Sequence, residues 1–230
     1  EETERVNLHA ALGRVLAEEI HATHNVPNHD NSAMDGYAFN ADDLAQGTTH
    51  LKITGAAFAG NALTGNFEKG ACVRIMTGAA IPAGADTVIA QERVELHGEF
   101  IQFTDTPNRG ANVRYAGEDL KAGQVVLNVG HQISPADLGL IASLGIGEVS
   151  VYRKLKVSFF STGDELASIG SALKTGQIFD SNRYTLFGML TRMGAEIRDL
   201  GAIPDNPILL EKTLIKAAEN SDVILTSGGV

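Results

Sequence analysis

Residues 154–163 read KLKVSFFSTG, an apolar run that ends in two small hydroxyl residues and a glycine. Such a run is typical of a strand that is buried on both faces of a parallel sheet. Two comparable runs follow, AEIRDLGAI at 195–203 and DVILTSGG at 222–229, and a helical pattern precedes each of them. The resulting β-α-β-α-β order predicts a parallel sheet with right-handed crossovers.

The helices between these strands carry start signals. Asp180 or Ser181 is placed to cap a helix over 182–194, and Asn206 with Pro207 begins the next helix. The chain then stops directly after the third strand. A sheet without its covering helix exposes apolar surface and an open edge, so we expect this sequence to be a fragment of a longer protein.

The earlier part of the chain has a different character. From 28 to 121, short Val/Ile/Phe/Thr segments alternate with Gly, Pro, Asn and Asp, which predicts a small β barrel or sandwich. SPADLGLIASLG at 134–145 has the cap, first-turn proline and terminal glycine of a helix. Near the start, Asn7 can cap a short helix over 8–12, and residues 14–27 fit a strand or a helix equally well.

Composition excludes several kinds of protein. The 230 residues carry a net charge of −10 without a basic patch, and aromatic residues are few, so a nucleic-acid surface is not expected. No apolar run reaches membrane-spanning length, and no signal peptide is recognisable. The single cysteine, Cys72, excludes a disulfide within the chain, and its neighbours predict a buried strand residue. We expect a cytoplasmic protein that binds neither nucleic acid nor membrane.

The ends of the three predicted strands indicate an anion site. Ser161-Thr162-Gly163 and Ser227-Gly228-Gly229 offer backbone N–H groups to an anion, and Glu165 and Asp205 lie beside them. Two carboxylates next to an anionic ligand favour a bridging Mg²⁺ ion. Ser, Thr and Gly are also ordinary in any loop between a strand and a helix, and no P-loop or dinucleotide-binding fingerprint is present.

Motifs in the β segment are harder to interpret. DNSAMDGYAF at 30–39 fits a turn or a site, and the residues alone do not decide between them. RIMTG at 74–78 and RYAGED at 114–119 are predicted, from composition, to be exposed loops with solvated charge pairs. Zinc binding by the histidines at 21, 24 and 29 is conceivable, but no cysteine or nearby carboxylate completes a tetrahedral set.

Six motifs in a fixed order resemble one family, the molybdopterin molybdenumtransferases, which include MoeA and the E domain of gephyrin. The motifs are DNSAMDGYA, VRIMTGAAIPAGAD, RYAGED, FFSTGDEL, GQIFDSN and TSGGV. The resemblance implies an α/β multidomain fold: an elongated N-terminal domain (1–27 and 122–151), a small barrel-like β domain inserted in it (28–121), and an incomplete molybdopterin-binding-like parallel α/β domain (152–230).

The resemblance also implies an activity. Family members insert molybdenum from molybdate into adenylylated molybdopterin and release AMP, in a reaction that depends on Mg²⁺. They are homodimers that receive their substrate from an adenylylating partner protein. Their active site lies between the α/β domain of one subunit and the inserted domain of the other. We expect this 230-residue chain alone to be inactive. A tungsten-handling relative, a non-catalytic pterin-binding module and a gephyrin-like scaffold remain as alternatives.

Matching the family motifs position by position implies the site residues. The implied catalytic residues are Asp35, Thr77, Asp119, Glu165 and Asp205, of which Asp205 and then Glu165 are expected nearest to Mg²⁺. The implied substrate-binding residues are Arg114, Ser161, Thr162, Gly163, Ser227, Gly228 and Gly229.

Overall fold

The structure is a computed structural model, and it describes residues 2–44, 47–61, 63 and 68–228. The chain divides into two compact units, residues 20–127 and residues 1–19 with 128–230. In chain order the strands are β1 (Thr3–Asn7), β2 (Ile20–His21), β3 (Asn31–Ser32), β4 (Gly36–Phe39), β5 (His50–Ala57), β6 (Ala71–Ile75), β7 (Thr87–Ala90), β8 (Val94–His97), β9 (Phe100–Phe103), β10 (Val113–Arg114), β11 (Val125–Leu127), β12 (Glu148–Tyr152), β13 (Lys156–Thr162), β14 (Leu166–Ala167), β15 (Ile178–Phe179), β16 (Glu196–Ile203) and β17 (Val223–Ser227). The α-helices are α1 (Pro135–Ser143), α2 (Ser181–Arg192) and α3 (Pro207–Ala218), and short 3-10 helices lie at Leu8–Ala10, Ala41–Asp43 and Gln91–Arg93.

The predicted parallel sheet is confirmed in the unit that contains the chain's C-terminal half. Its order is β16–β13–β17, with both edge strands parallel to the central β13. Strand β13 is buried from Val157 to Ser161, as its apolar run predicts. Helix α2 covers this strand, because Leu190 packs with Val157 and Phe159 in one apolar cluster. This arrangement aligns the carboxyl ends of the three strands at one edge of the sheet.

Local capping signals begin the helices where the sequence predicts. The Asp180 carboxylate accepts the Arg183 N–H, so Asp180 caps α2, and Ser181 is its first residue. The Asn206 side chain accepts two backbone N–H groups at the start of α3. In α1, Ser134 and Asp137 form a reciprocal capping box. Each cap satisfies backbone donors that the first helical turn leaves unpaired.

The N-terminal segment contains less helix than the sequence predicts. Asn7 does cap a helix, but it is a 3-10 helix that ends at Ala10, so the prediction of a helix over 8–12 was too long. Residues 14–27 form neither a long helix nor a long strand, and only Ile20–His21 pairs there as a strand. Strand β1 pairs antiparallel with β12, which ties the start of the chain to the residues before the parallel sheet.

The unit formed by residues 20–127 contains one mixed six-stranded sheet, in the order β7–β4–β6–β5–β9–β8. Strands β5 and β6 are parallel, and the remaining neighbours are antiparallel. Successive residues of β4 enter different apolar clusters: Tyr37 and Phe39 belong to one, and Ala38 belongs to the other. The sheet therefore buries side chains on both faces. Closure of this sheet into a barrel and the domain boundaries at 28 and 121 remain predictions.

Cys72 lies inside this sheet. It is fully buried in β6, which confirms the prediction of a buried strand residue, and burial raises the pKa of its thiol to about 12. Such a thiol is a structural residue and not a nucleophile, since only the thiolate reacts readily.

Among the described residues, no helix is both long enough and apolar enough to cross a membrane.

Gly36 lies where two strands of the sheet approach each other too closely for a side chain. Its replacement by alanine is expected to lower the free energy of unfolding by about 2 kcal/mol or more. A Cβ atom there would overlap the backbone carbonyl of Ile89, which belongs to the paired strand β7 and cannot move aside alone. Gly55→Ala in β5 is the matched control, because its Cβ would meet only the flexible Leu63 side chain at 3.4 Å. Urea unfolding of both variants measures the difference, and equal stabilities would contradict this account.

Candidate active site

Strand β3 brings three of the sequence motifs together. On one side, Asn31 and Ser32 pair antiparallel with Arg114 and Val113 of β10. On the other side, the Ser32 carbonyl accepts the Gly78 N–H at 2.8 Å, and the Ser32 N–H donates to the Ala79 carbonyl at 3.0 Å. The DNSAMD, RIMTGA and RYAGED segments are therefore joined by backbone hydrogen bonds at two residues.

A tight turn after β3 carries Asp35 to Thr77. The Ser32 hydroxyl donates to the Met34 carbonyl at 2.6 Å and accepts the Met34 N–H at 3.3 Å, which fixes the turn. The Thr77 N–H and hydroxyl both donate to Asp35 Oδ1, each at 2.7 Å. The motif at 30–39 is thus a turn that presents a carboxylate, and the structure brings these two implied catalytic residues into direct contact.

The hydrogen bonds from Thr77 affect the pKa of Asp35. They lower the pKa of its carboxyl below the ordinary value, with the hydroxyl as the larger cause and the nearby Arg74 guanidinium as a smaller one. Asp35, like an ordinary aspartate, is a carboxylate at neutral pH, and these hydrogen bonds keep it ionised to lower pH. Within the described residues its Oδ2 atom receives no hydrogen bond, so one oxygen remains open to a ligand or a proton.

Arg114 and Asp119 form a second pair in the same unit. Arg114 Nη2 lies 2.6 Å from Asp119 Oδ2, while Arg114 Nε lies 3.7 Å from Glu118 Oε1. About half of each side chain in the closer pair is exposed, which confirms the prediction of a solvated charge pair in RYAGED. Because Arg114 is a residue of β10, this pair lies beside Asn31 of β3.

Two residues that sequence reasoning missed hold the RYAGED loop in place. Asp30 Oδ1 accepts the Ala116 N–H at 2.8 Å. Asn25 lies close to Gly117 of the loop, because a Cβ there would come within 3.2 Å of the Asn25 side chain, and Asn25 Oδ1 accepts the N–H of Ala122, three residues after the loop, at 2.9 Å. Asp30 is the first residue of the DNSAMDGYAF motif, where its residue type indicates a turn former, whereas no local signal marks Asn25.

The prediction of an exposed, charge-paired RIMTG loop was wrong for its arginine. Arg74 is half-buried in β6, and its guanidinium lies over the Tyr37 ring, 5.0 Å from the ring centroid. It donates to the Gln91 side chain and to the Gly36 carbonyl. The physical reason is that β6 continues through Ile75, so Arg74 stands opposite Tyr37 in the sheet and not in a loop.

In the other unit, the strand ends form a glycine-lined edge. Ser161 pairs with Ser227 in register, and the Gly163 N–H donates to the Ile203 carbonyl at 3.3 Å. Gly163 and Gly228 have φ values of +146° and +113°. A Cβ on Gly228 would overlap the Thr162 backbone carbonyl, and the φ of Gly163 is one that other residues rarely adopt, so both positions favour glycine. The edge thus brings together the predicted substrate-binding residues 161–163, 227 and 228, while Gly229 lies outside the described residues.

Ser161 is placed differently from its neighbours at this edge. Its side chain is almost completely buried, and its hydroxyl oxygen has no hydrogen-bond partner among the described residues. Thr162 is only partly buried. Of the two hydroxyl residues, Thr162 is therefore the one that a ligand at the sheet edge can reach.

Carboxylates connect the first two strand ends. The Asp205 N–H donates to Asp164 Oδ1 at 3.1 Å, and the Glu165 side chain folds back towards Gly163. Asp164 belongs to the FFSTGDEL motif, which gave no prediction of this contact. In the described part of the chain, no group of three or more His, Cys, Asp or Glu side chains is arranged to hold a metal, and this includes the three histidines at 21, 24 and 29. The carboxylates of Glu165 and Asp205 are nevertheless of the type that Mg²⁺ binds. This ion commonly takes one or two protein carboxylates and completes its coordination shell with water and phosphate oxygens.

Family models match nearly the whole chain. Residues 1–145 match the model of the MoeA N-terminal region, domains I and II. The chain belongs to the MoeA family. Residues 158–230 match the model of a probable molybdopterin binding domain, and they include the glycine-lined sheet edge of this MoeA-family chain.

Individual relatives agree with this assignment. A molybdopterin molybdenumtransferase from Haemophilus influenzae is 48% identical over 230 residues, which is all of this chain and 57% of the relative. One from Nostoc is 38% identical over all of this chain and 54% of its own length. A crystal structure of the molybdopterin biosynthesis protein MoeA from Pyrococcus horikoshii matches with a TM-score of 0.93 at 36% identity, covering 100% of this chain and 62% of that one. This chain therefore spans about half the length of the curated relatives that it matches.

Replacing Thr77 by alanine is expected to raise the pKa of Asp35 towards its ordinary value. Thr77→Ala removes the hydroxyl, which is the largest cause of the lowered pKa, while Thr77→Ser keeps a hydroxyl and serves as the control. A carboxyl with a depressed pKa stays ionised until the pH falls through that lowered value, so protonation in Thr77→Ala should begin at higher pH. A titration of the Asp35 carboxyl carbon by NMR measures this shift. The same midpoint in all three proteins would refute the role given to the hydroxyl.

Proposed function

We propose that the protein acts in molybdenum cofactor biosynthesis as a molybdopterin molybdenumtransferase, which inserts molybdenum from molybdate into adenylylated molybdopterin and releases AMP. The observation that carries the proposal is the assembly of three distant motifs on β3, which presents an ionised Asp35 beside Thr77. The names of the relatives in Haemophilus influenzae and Nostoc support the same activity.

The glycine-lined edge of the parallel sheet is proposed to bind the phosphate of the pterin substrate. Gly163 and Gly228 leave the backbone exposed to close approach, and Thr162 adds a hydroxyl beside them. Such an edge suits an anion, because ligands of open α/β sheets bind beyond the carboxyl ends of the strands. Since the Gly163 N–H is already paired with the Ile203 carbonyl, the Thr162 hydroxyl is the donor proposed to orient the phosphate.

The carboxylates have different proposed tasks. Asp35 is ionised and has one free oxygen, so it is suited to accept a hydrogen bond from a substrate hydroxyl. Its lowered pKa makes it a weak base at neutral pH and excludes it as a proton donor. Asp119 forms an ion pair with Arg114. The proposed task of Arg114 is to attract anions, and that of Asp119 is to fix the position of the Arg114 side chain. Asp205 and Glu165 would hold Mg²⁺. When bound, this ion would neutralise phosphate charge during the release of AMP.

We further propose that the protein is a homodimer, in which the inserted β domain of one subunit completes the pocket of the α/β domain of the other. The resemblance to the family supports this proposal. An adenylylating protein of the same pathway would supply the substrate, since adenylylated molybdopterin has to be made before AMP can be released.

Release of AMP from adenylylated molybdopterin, with and without molybdate, tests the proposed reaction in the full-length protein. We expect molybdate-dependent AMP release that falls by about 100-fold or more in Asp35→Ala and Asp205→Ala, the range that one electrostatic or proton-transfer group commonly supplies. Asp105→Ala and Glu211→Ala are matched controls at exposed acids in the two units.

The same assay separates the alternatives. An Asp205→Ala variant that keeps the wild-type rate and Mg²⁺ dependence would remove Asp205 from the metal site. Tight binding of molybdopterin without any AMP release would favour a non-catalytic pterin-binding module. Faster turnover with tungstate than with molybdate would favour a tungsten-handling protein.

A further inference from the structure

A second set of contacts fixes the backbone that directly follows the Asp35 side chain. The Asp35 carbonyl accepts the Gln91 N–H at 3.0 Å. The next carbonyl, that of Gly36, accepts from Arg74 Nη1 at 3.4 Å, and Arg74 Nη2 donates to the Gln91 side-chain oxygen. Arg74 and Gln91 therefore close a ring of hydrogen bonds around the peptide that follows Asp35.

The position of Arg74 is itself fixed by packing. Its guanidinium lies over the ring of Tyr37, which is 4% exposed and belongs to the apolar core of the sheet. A cation over an aromatic face is stabilised by the ring's quadrupole. Among the described residues, Arg74 lies within salt-bridge distance of no carboxylate, although its charge acts on Asp35 at longer range. The guanidinium is thus held by neutral partners. Its positive charge is not neutralised by a nearby carboxylate and acts on Asp35.

The strand geometry allows little adjustment around this ring. Gly36 lies so close to Ile89 of β7 that no side chain fits, and β4 pairs with β6 on its other side. Asp35 is the residue immediately before β4, so its orientation depends on the two strands that hold Gly36. A guanidinium suits this position because its planar group donates to two acceptors at once, here the Gly36 carbonyl and the Gln91 side-chain oxygen. A lysine ammonium on a flexible side chain does this less well.

We propose that Arg74 and Gln91 are positioning residues for Asp35. By holding the peptide after Asp35, they keep Oδ1 on the two donors of Thr77 and leave Oδ2 directed to the substrate. The inference rests on the proposed function for the catalytic part, but the placement of Asp35 can be tested without any turnover.

Kinetics of the full-length protein test the catalytic consequence. Arg74→Met keeps much of the side-chain volume and removes the hydrogen bonds, and Gln91→Leu removes the acceptor. We expect kcat for molybdate-dependent AMP release to fall by about 10- to 100-fold in both variants, with KM changed less than about threefold, because a misplaced group loses rate more than binding. Gln91→Glu keeps an oxygen acceptor for Arg74 but places a second carboxylate beside Glu92, whose Oε1 accepts the Gln91 side-chain N–H at 3.0 Å, so only part of the rate should remain. Arg74→Lys should lose most of it.

A double-mutant cycle distinguishes positioning from general stabilisation. In an Asp35→Asn background, Arg74→Met is expected to lower the residual rate by less than about twofold, because the group that it positions is already gone. The same fold-loss in both backgrounds would overturn the proposal, since it would show an effect that does not pass through Asp35.

NMR of the full-length protein provides a readout that does not depend on activity. In Arg74→Met and Gln91→Leu, the Thr77 amide and the Asp35 carboxyl carbon should shift, while amides of β13 in the other unit stay in place. Unchanged Thr77 and Asp35 signals in either folded variant would overturn the positioning role. If the wild-type protein releases no AMP, the proposed function fails, and these spectra still decide whether Arg74 and Gln91 place Asp35.

Discussion

The backbone pairing of Asn31 and Ser32 is the constraint on which the β-unit site depends. Two residues are too short to be stable as an isolated strand, so this strand exists because two distant segments hydrogen-bond to it from both sides. Ser32 is almost fully buried, and its hydroxyl also fixes the turn to Met34. The position of Asp35 is therefore a result of tertiary pairing, although all the residues of the turn are adjacent in sequence.

The α/β unit reaches a comparable result by a different route. Parallel strands joined through helices bring their carboxyl ends to one edge, and side chains of Asp180 and Asn206 cap the helices that follow. Glycines at 163 and 228 then remove the side chains that would fill the edge. Regular secondary structure supplies most of this site, whereas irregular backbone pairing supplies the site around Asp35. In the proposed reaction, the sheet edge would bind an anion and the β unit would supply an open carboxylate.

Sequence patterns predicted the elements whose signals are local. The caps at Ser134, Asp180 and Asn206 and the buried run of β13 were all recognisable from neighbouring residues. The prediction for Arg74 was wrong because its partners, Tyr37 and Gln91, are distant in sequence, and no neighbouring residue indicates these contacts.

The candidate site shows the same division. Family motifs named Asp35 and Thr77, but the atoms that join them follow only from the three-dimensional pairing. Asn25 and Asp164 act by accepting backbone N–H groups of remote residues, so composition could not reveal them. The most direct measurement is a crystal structure of the full-length protein with adenylylated molybdopterin and molybdate. This account predicts a substrate phosphate against Gly163 and Gly228, and Asp35 Oδ2 within hydrogen-bond distance of the bound substrate. A substrate that binds away from the glycine-lined edge, or an Asp35 that faces solvent in that complex, would contradict it.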